Sequence, residues 1–365
     1  MKQIYTLIIA VLIFCIPVNA QMRVVDAETQ LPIAAASIFD AVGNMVGFTW
    51  SDGVFSEVPE TAYPITLRCM GYEPLVIERP EEKAWEMAPK IYELEEVVAV
   101  PIKRNILKQT FYMREYFSVC NASDTVTFFM EHMAHRFIPT SKDVKFDEDS
   151  SLRILETRQY AHYQVSGKDS VVANPEETFP VSFNVLFLND EVVTAPESFK
   201  ESEKTVKHYE EAGKSGFVLI QKQNAQTFTT ITDVLADRKG HKFSPWILKA
   251  LGFSMEFNQL YTTQTYRAND EGVYPPQDLM EASSVMKALG KGKFLRKVLK
   301  SDKPVIIRSM TEMYRVEHEY LTKEEAMEAC KNKPTDVKFV IPSTVPALNE
   351  ATQRLVERAN AETKK

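Results

Sequence analysis

Residues 306–320 read IIRSMTEMYRVEHEY. Ile306, Met310, Tyr314, Val316, His318 and Tyr320 fall on one side of an extended chain, and Ser309, Thr311, Arg315, Glu317 and Glu319 on the other. Successive side chains of a strand point to opposite faces, so period-two alternation over about 15 residues predicts a half-buried antiparallel strand. Working outward, RILETRQYAHYQV (153–165), VSFNVLFL (181–188), GFVLIQ (216–221) and MEFNQLYTTQTY (255–266) read as further strands. Helical patterns stand between them. Val126, Phe129, Met130, Met133 and Phe137 recur at helical spacing behind Ser123 and Asp124 as caps. SPWILKALG (244–252) has a serine cap, a proline at the first position and a terminal glycine. QDLMEASSVMKALG (277–290) also reads as a helix. Thr322 and Glu325 have capping-box spacing ahead of KEEAMEAC, and a last helix is expected over 346–361, with Leu348, Ala351, Leu355 and Val356 on its stripe. Residues 102–365 are therefore expected to form an α+β domain with antiparallel strands.

The first hundred residues have a different texture. MRVVDAET, QLPIAAASIFD, AVGNMVGFTW, SDGVFSEV, YPITLRCMGYEPLVIE and KIYELEEVVAV are short runs broken by turn residues, among them Gly43-Asn44 and Asp52-Gly53. About seven short strands at this spacing predict an antiparallel β-sandwich over residues 21–101. Pro101–Arg104 marks the expected junction, where limited proteolysis should release the sandwich.

The order VVDAETQLPIAAASIFD, TWSDGVFSEV, ITLRCMGYEPLVIE and YELEEVVAV resembles the carboxypeptidase regulatory-like domain, a transthyretin-like sandwich of the bacterial envelope. The D-G-x-F turn at Asp52, Gly53 and Phe55 and the Gly71-Tyr72 pair carry the resemblance most specifically. It covers about 80 residues and departs from the family pattern at Met22-Arg23, where a glycine usually precedes the first valine. The resemblance implies a domain that performs no chemistry. In TonB-dependent importers such a domain precedes a plug and a barrel. A barrel of 22 strands takes roughly 220 residues before loops and plug are counted. Too few residues follow Pro101 for that, and segments read as helical interrupt them, so no barrel is expected. A role as a TonB-linked accessory factor remains an alternative.

Lys2, the unbroken apolar stretch Leu7–Ile16 and the small residue Ala20 read as a secretory signal peptide over residues 1–20, cut after Ala20. A membrane span needs about 20 apolar residues. Phe14 before Cys15 does not suit a lipidation site. Export to the periplasm or an association with the outer membrane follows as the expectation. Without residues 1–20 the chain has 42 basic and 50 acidic residues, a net −8, which argues against nucleic-acid partners. Cys69, Cys120 and Cys330 are an odd number and far apart, and read as small buried apolar residues rather than a disulfide framework.

Candidate chemistry is sparse. Glu131, His132 and His135 in EHMAHR lack the H-E-x-x-H zinc spacing, and on a helix both histidines would lie on a solvated polar face. Asp147, Glu148 and Asp149 would begin a calcium loop whose sixth and twelfth positions are Leu152 and Arg158, which suit neither requirement. GKSGF at Gly213 and GKGKF at Gly290 lack the lengths of a nucleophile elbow or a phosphate loop. Eight basic residues (287, 291, 293, 296, 297, 300, 303 and 308) with interleaved apolar ones offer a peripheral membrane contact or an acidic-partner surface, or form a plain solvated face. No catalytic, cofactor-binding or metal residue is assigned and no cofactor is expected. The expected function is that of an exported binding or scaffold protein with an envelope protein or glycan as partner. The alternative is an envelope hydrolase whose groups converge only in three dimensions.

Overall fold

A computed structural model describes residues 22–363 apart from 56–57, 81–83, 93–103, 141–142, 145, 147–151, 176–187, 189–190, 213–216, 237–252, 293–294, 296–298, 300–302, 333 and 335. The protein is predominantly β, built on antiparallel sheets. Its N-terminal strands are β1 (Arg23–Asp26), β2 (Ser37–Phe39), β3 (Met45–Phe48), β4 (Ile65–Arg68), β5 (Leu75–Ile77) and β6 (Ala84–Met87). They form a four-stranded antiparallel sheet, β3-β2-β4-β5, and a parallel pair, β1-β6, around Val24, Ile38, Phe55, Ile65, Leu67 and Trp85. Turn chemistry holds the pieces. Asp40 accepts from the amides of Val42 and Asn44 at 3.0 and 2.7 Å, closing the β2–β3 turn. Gly53 has φ +75°, and a Cβ there would lie 2.4 Å from the Val24 carbonyl oxygen, so only glycine fits beside β1.

The remaining chain forms β7 (Ile106–Cys120), β8 (Thr125–Pro139), β9 (Arg153–Val165), β10 (Lys168–Ala173), β11 (Val193–Thr194), β12 (Lys207–Ala212), β13 (Val218–Gln223), β14 (Thr227–Asp233), β15 (Phe253–Arg267), β16 (Val273–Tyr274), β17 (Leu279–Gly292) and β18 (Val305–Leu321). Ten of these make one sheet in the order β10-β9-β8-β7-β18-β17-β15-β14-β13-β12. It consists of two meanders, β7 to β10 and β12 to β18, joined along a long β7–β18 seam that runs from Ile306↔Cys120 to Leu321↔Ile106. Among the described residues the helices α1 (Glu197–Lys200), α2 (Lys323–Lys331) and α3 (Glu350–Thr363) accompany the sheet.

Several expected strands and helices match this architecture. β9 coincides with 153–165, β15 contains 255–266 and β18 contains 306–320. The Thr322 hydroxyl accepts from the Glu325 amide while the Glu325 carboxylate accepts from the Thr322 amide, so the capping box opens α2. Two expected helices are corrected to strands. Residues 125–139 are β8 and residues 279–292 are β17, which reduces the helical share expected of an α+β domain. Both strands are buried on both faces, so their sequences read as near-continuous apolar runs whose spacing does not distinguish helix from strand. β18 is likewise buried on both sides through Ser309–Arg315 rather than half-buried. The segments 181–187 and 244–252, the acidic stretch 93–96 with the apolar run after it, and Asp147, Glu148 and Asp149 lie outside the described residues.

One face of the wide sheet carries the N-terminal strands and α3. Tyr116, Phe129, Tyr261 and Met310 of the sheet share a core with Phe39, Met45 and Phe48, and with Leu355 and Ala359 of α3. The opposite face bears two apolar clusters. One centres on Phe117, Phe128, Met286 and Ile307 with Leu295 and Leu299, and the other on Phe111, Met113, Phe228 and Met313 with Phe199 of α1. Of the basic run, Lys287 and Arg308 are cross-strand partners on β17 and β18, and residues 293, 296, 297 and 300 lie outside the described residues.

Candidate functional site

Two sets of buried polar groups lie on the two faces of the sheet, the first closely paired apart from Arg68 Nε and the second with several unbonded atoms. The first joins the N-terminal strands to the sheet. Arg68, at the end of β4, donates through Nη2 to both carboxylate oxygens of Glu312 at 3.0 and 2.7 Å and through Nη1 to the Tyr116 hydroxyl at 3.0 Å. Both side chains of this ion pair are almost fully buried. Lys90 donates to Glu281 at 2.9 Å and lies 4.9 Å and 5.2 Å from the ring centres of Tyr92 and Tyr314. Tyr92 donates to the other oxygen of Glu281. Beside them Tyr112 donates to Glu131, and Arg114 donates to the Tyr112 oxygen at 3.0 Å and to the Pro346 carbonyl at 2.6 Å. Burial, then the neighbouring carboxylate, raises the Tyr92 phenol well above its ordinary range, so it stays a donor.

The second set lies on the opposite face, between the two apolar clusters. Strand register places it there. Glu115 on β7 is directly opposite Met130 on β8 and Thr311 on β18, and His132 on β8 is opposite Met113 on β7 and Thr157 on β9. Directly opposed residues share a face. Glu115, His132 and Thr311 are 2%, 0% and 0% exposed. Thr157 Oγ1 is 2.9 Å from His132 Nδ1 and fixes the ring. His132 Nε2 is 3.7 Å from Glu115 Oε2, an ion-pair separation but too long for a hydrogen bond. His132 Nε2, Glu115 Oε1 and Thr311 Oγ1 have no hydrogen-bond partner. Burial raises the Glu115 carboxyl, and the adjacent imidazole opposes that shift.

The expectation of a solvated EHMAHR face is thus corrected. His132 is fully buried because the segment is a strand within a covered sheet. Glu131 lies on the other face, against Tyr112, so it cannot join His132. His135 is half-buried, and burial followed by the Lys108 charge lowers its imidazole to about 4, with Glu319 opposing. Sequence reasoning missed Glu115, Thr311 and Met113 as neighbours of His132. The available signal was the alternation Val126, Phe128, Met130, His132, Ala134, which sets a histidine in an apolar row.

A cavity of about 60 Å³ lies between the N-terminal loops and the β13–β14 hairpin, lined in part by Asp26, Cys69, Tyr72, Lys222 and Thr229. Burial pushes the Cys69 thiol up to about 12 and lowers the Lys222 amine. Asp26 is already engaged by Tyr72 and by the amides of Glu28 and Thr29. Cys69, Cys120 and Cys330 form no disulfide with one another, and each is partly rather than fully buried. Among the described residues no group of three or more His, Cys, Asp or Glu side chains could hold a metal ion, and no helix is long and apolar enough to cross a membrane.

Comparisons with known proteins add little. No family model matches the chain and no curated protein matches it. A structure of lipovitellin, described as showing lipid–protein interactions, is similar at 8% identity over 60% of this chain and 26% of that one, with a TM-score of 0.30. A likeness that weak supports no inference about fold or function.

Proposed function

We propose that this protein is an exported, non-catalytic binding protein of the cell envelope. In this reading a carboxypeptidase regulatory-like sandwich braces a wide antiparallel sheet, and the sheet's opposite face holds the ligand site. The signal-like residues 1–20 and the D-G-x-F turn support the compartment and the sandwich.

The observation that carries the binding role is the contrast between the two polar sets. At the brace every ionic group meets a charged or hydroxyl partner, with only Arg68 Nε left unbonded: Arg68 has Glu312 and Tyr116, and Lys90 and Tyr92 share Glu281. On the far face His132 Nε2, Glu115 Oε1 and Thr311 Oγ1 are buried without hydrogen bonds. Groups retained only for folding are normally satisfied, because an unmade buried hydrogen bond costs about 1–3 kcal/mol. Convergent polar groups set between apolar clusters are the usual composition of a ligand site. Thr311→Val is nearly isosteric and removes one unbonded hydroxyl. It should raise the stability of the ligand-free protein by about 1 kcal/mol in urea unfolding. A loss of stability instead would mean that Thr311 serves the fold, and the binding reading would fall.

A further inference from the structure

The far-face set has neighbours of a distinctive kind. His132 faces Met113 across β7–β8. Met130 precedes His132 by two residues on the same face and is itself opposite Glu115. Met313 on β18 is opposite Met113. These methionines are 0–2% exposed, as buried as His132 and Glu115. Directly opposed residues have Cβ atoms about 4.5–5.5 Å apart, so the long flexible thioether of Met113 reaches across to the imidazole, while Met130 stands one step along the same face of β8, against Glu115.

We infer that His132, Met113 and Met130, with Glu115 beside them, form a binding site for a soft monovalent metal ion, copper(I). The inference rests on the binding reading above and names its ligand. Thioether and imidazole donors favour copper(I), whereas zinc and calcium sites draw on thiolates, several imidazoles or several carboxylates. Methionine packing alone accounts for the apolar surroundings. It does not account for a buried imidazole nitrogen that makes no hydrogen bond and meets only the Glu115 carboxylate at 3.7 Å, nor for the second Glu115 oxygen, which has no hydrogen-bond partner.

The ring is oriented as in known metal sites: Thr157 holds Nδ1, and Nε2 is left for the ion. Glu115 places its carboxyl group 3.7 Å from Nε2, where a bound cation would hold it ionised and one negative charge would balance one positive charge in a site closed to water. A divalent ion would keep an uncompensated charge there. Because the site is closed, loading takes place during folding or a local opening of the sheet.

The test uses the full mature chain, loaded both in its native state and by refolding. Silver(I) serves as a redox-stable probe, and copper(I) is measured anaerobically by competition with a chromophoric chelator. One equivalent should survive gel filtration, and X-ray absorption at the metal edge should show sulfur and nitrogen neighbours. Met113→Leu combined with Met130→Leu conserves core volume and should weaken copper(I) at least tenfold. Met133→Leu, on the brace face of the same strand, should leave it unchanged. The inference is overturned if the wild-type chain retains neither ion, if the double variant binds as the wild type does, or if zinc is preferred. Failure here alongside a stabilising Thr311→Val would remove the metal and leave the binding reading standing. A destabilising Thr311→Val would remove the reading itself.

Discussion

At the scale of single residues, the Arg68–Glu312 pair shows how charge can sit inside this protein. A buried guanidinium is tolerable only with its carboxylate, so removing one partner leaves an uncompensated charge. Glu312→Ala should therefore cost about 3–5 kcal/mol in chemical unfolding, whereas Arg68→Met with Glu312→Leu should recover most of that loss. If the double variant is no more stable than the single one, the pair is not an isolated unit and Tyr116 shares its burden. His135 provides a pH prediction. Its folded value lies near 4, below the ordinary 6.5, so it contributes stability above pH 6.5 that is lost as pH falls through 4. Glu115, raised by burial, acts in the opposite sense, so the informative quantity is a difference between variants. His135→Phe should flatten the fall in urea midpoint between pH 6.5 and 4, and an unchanged slope would count against the assignment.

At the scale of elements, α3 illustrates what a single amphipathic helix covers. Leu355 and Ala359 enter the core shared by the N-terminal strands and the sheet, and Ala351 abuts Gly43 so closely that a Cβ there would lie 2.9 Å away. Leu355→Ala should lower stability by about 2–5 kcal/mol, measured by denaturant titration. The stripe that makes this possible was legible in Leu348, Ala351, Leu355 and Val356, as were the alternation of β18 and the Thr322 cap. Legibility failed where both faces of a strand are covered. In β8, Phe128, Met130 and Ala134 face one way and Phe129 and Met133 the other, so the apolar residues match a helix as readily as a strand. The candidate site was illegible for a related reason. Glu115 and His132 belong to adjacent strands, and Thr311 lies nearly two hundred residues further on. Only hairpin register and the β7–β18 seam bring them together.

At the scale of the whole molecule, the N-terminal strands and the sheet share an apolar core and two buried ion pairs. Elements coupled this way gain little from unfolding separately. Calorimetry of residues 21–365 should show one cooperative transition, with calorimetric and van't Hoff enthalpies in agreement. Two resolved transitions would mean that the N-terminal strands form an independent unit and that their contacts with the sheet are weaker than their burial implies.

The β7–β18 seam has a consequence in time as well as in space. A chain made from its N-terminus completes β7 to β10 as a local meander early, but β7 gains its other neighbour only when residues 305–321 exist. Arg68 and Lys90 are likewise made long before Glu312 and Glu281. Contacts of such wide sequence separation form late and slowly, because the intervening loop must be closed first. Until then β7 presents an unpaired edge of fifteen residues, a template for joining another chain. Helper proteins that bind extended segments would therefore act most usefully on this half-made intermediate, in the interval before the final strand arrives.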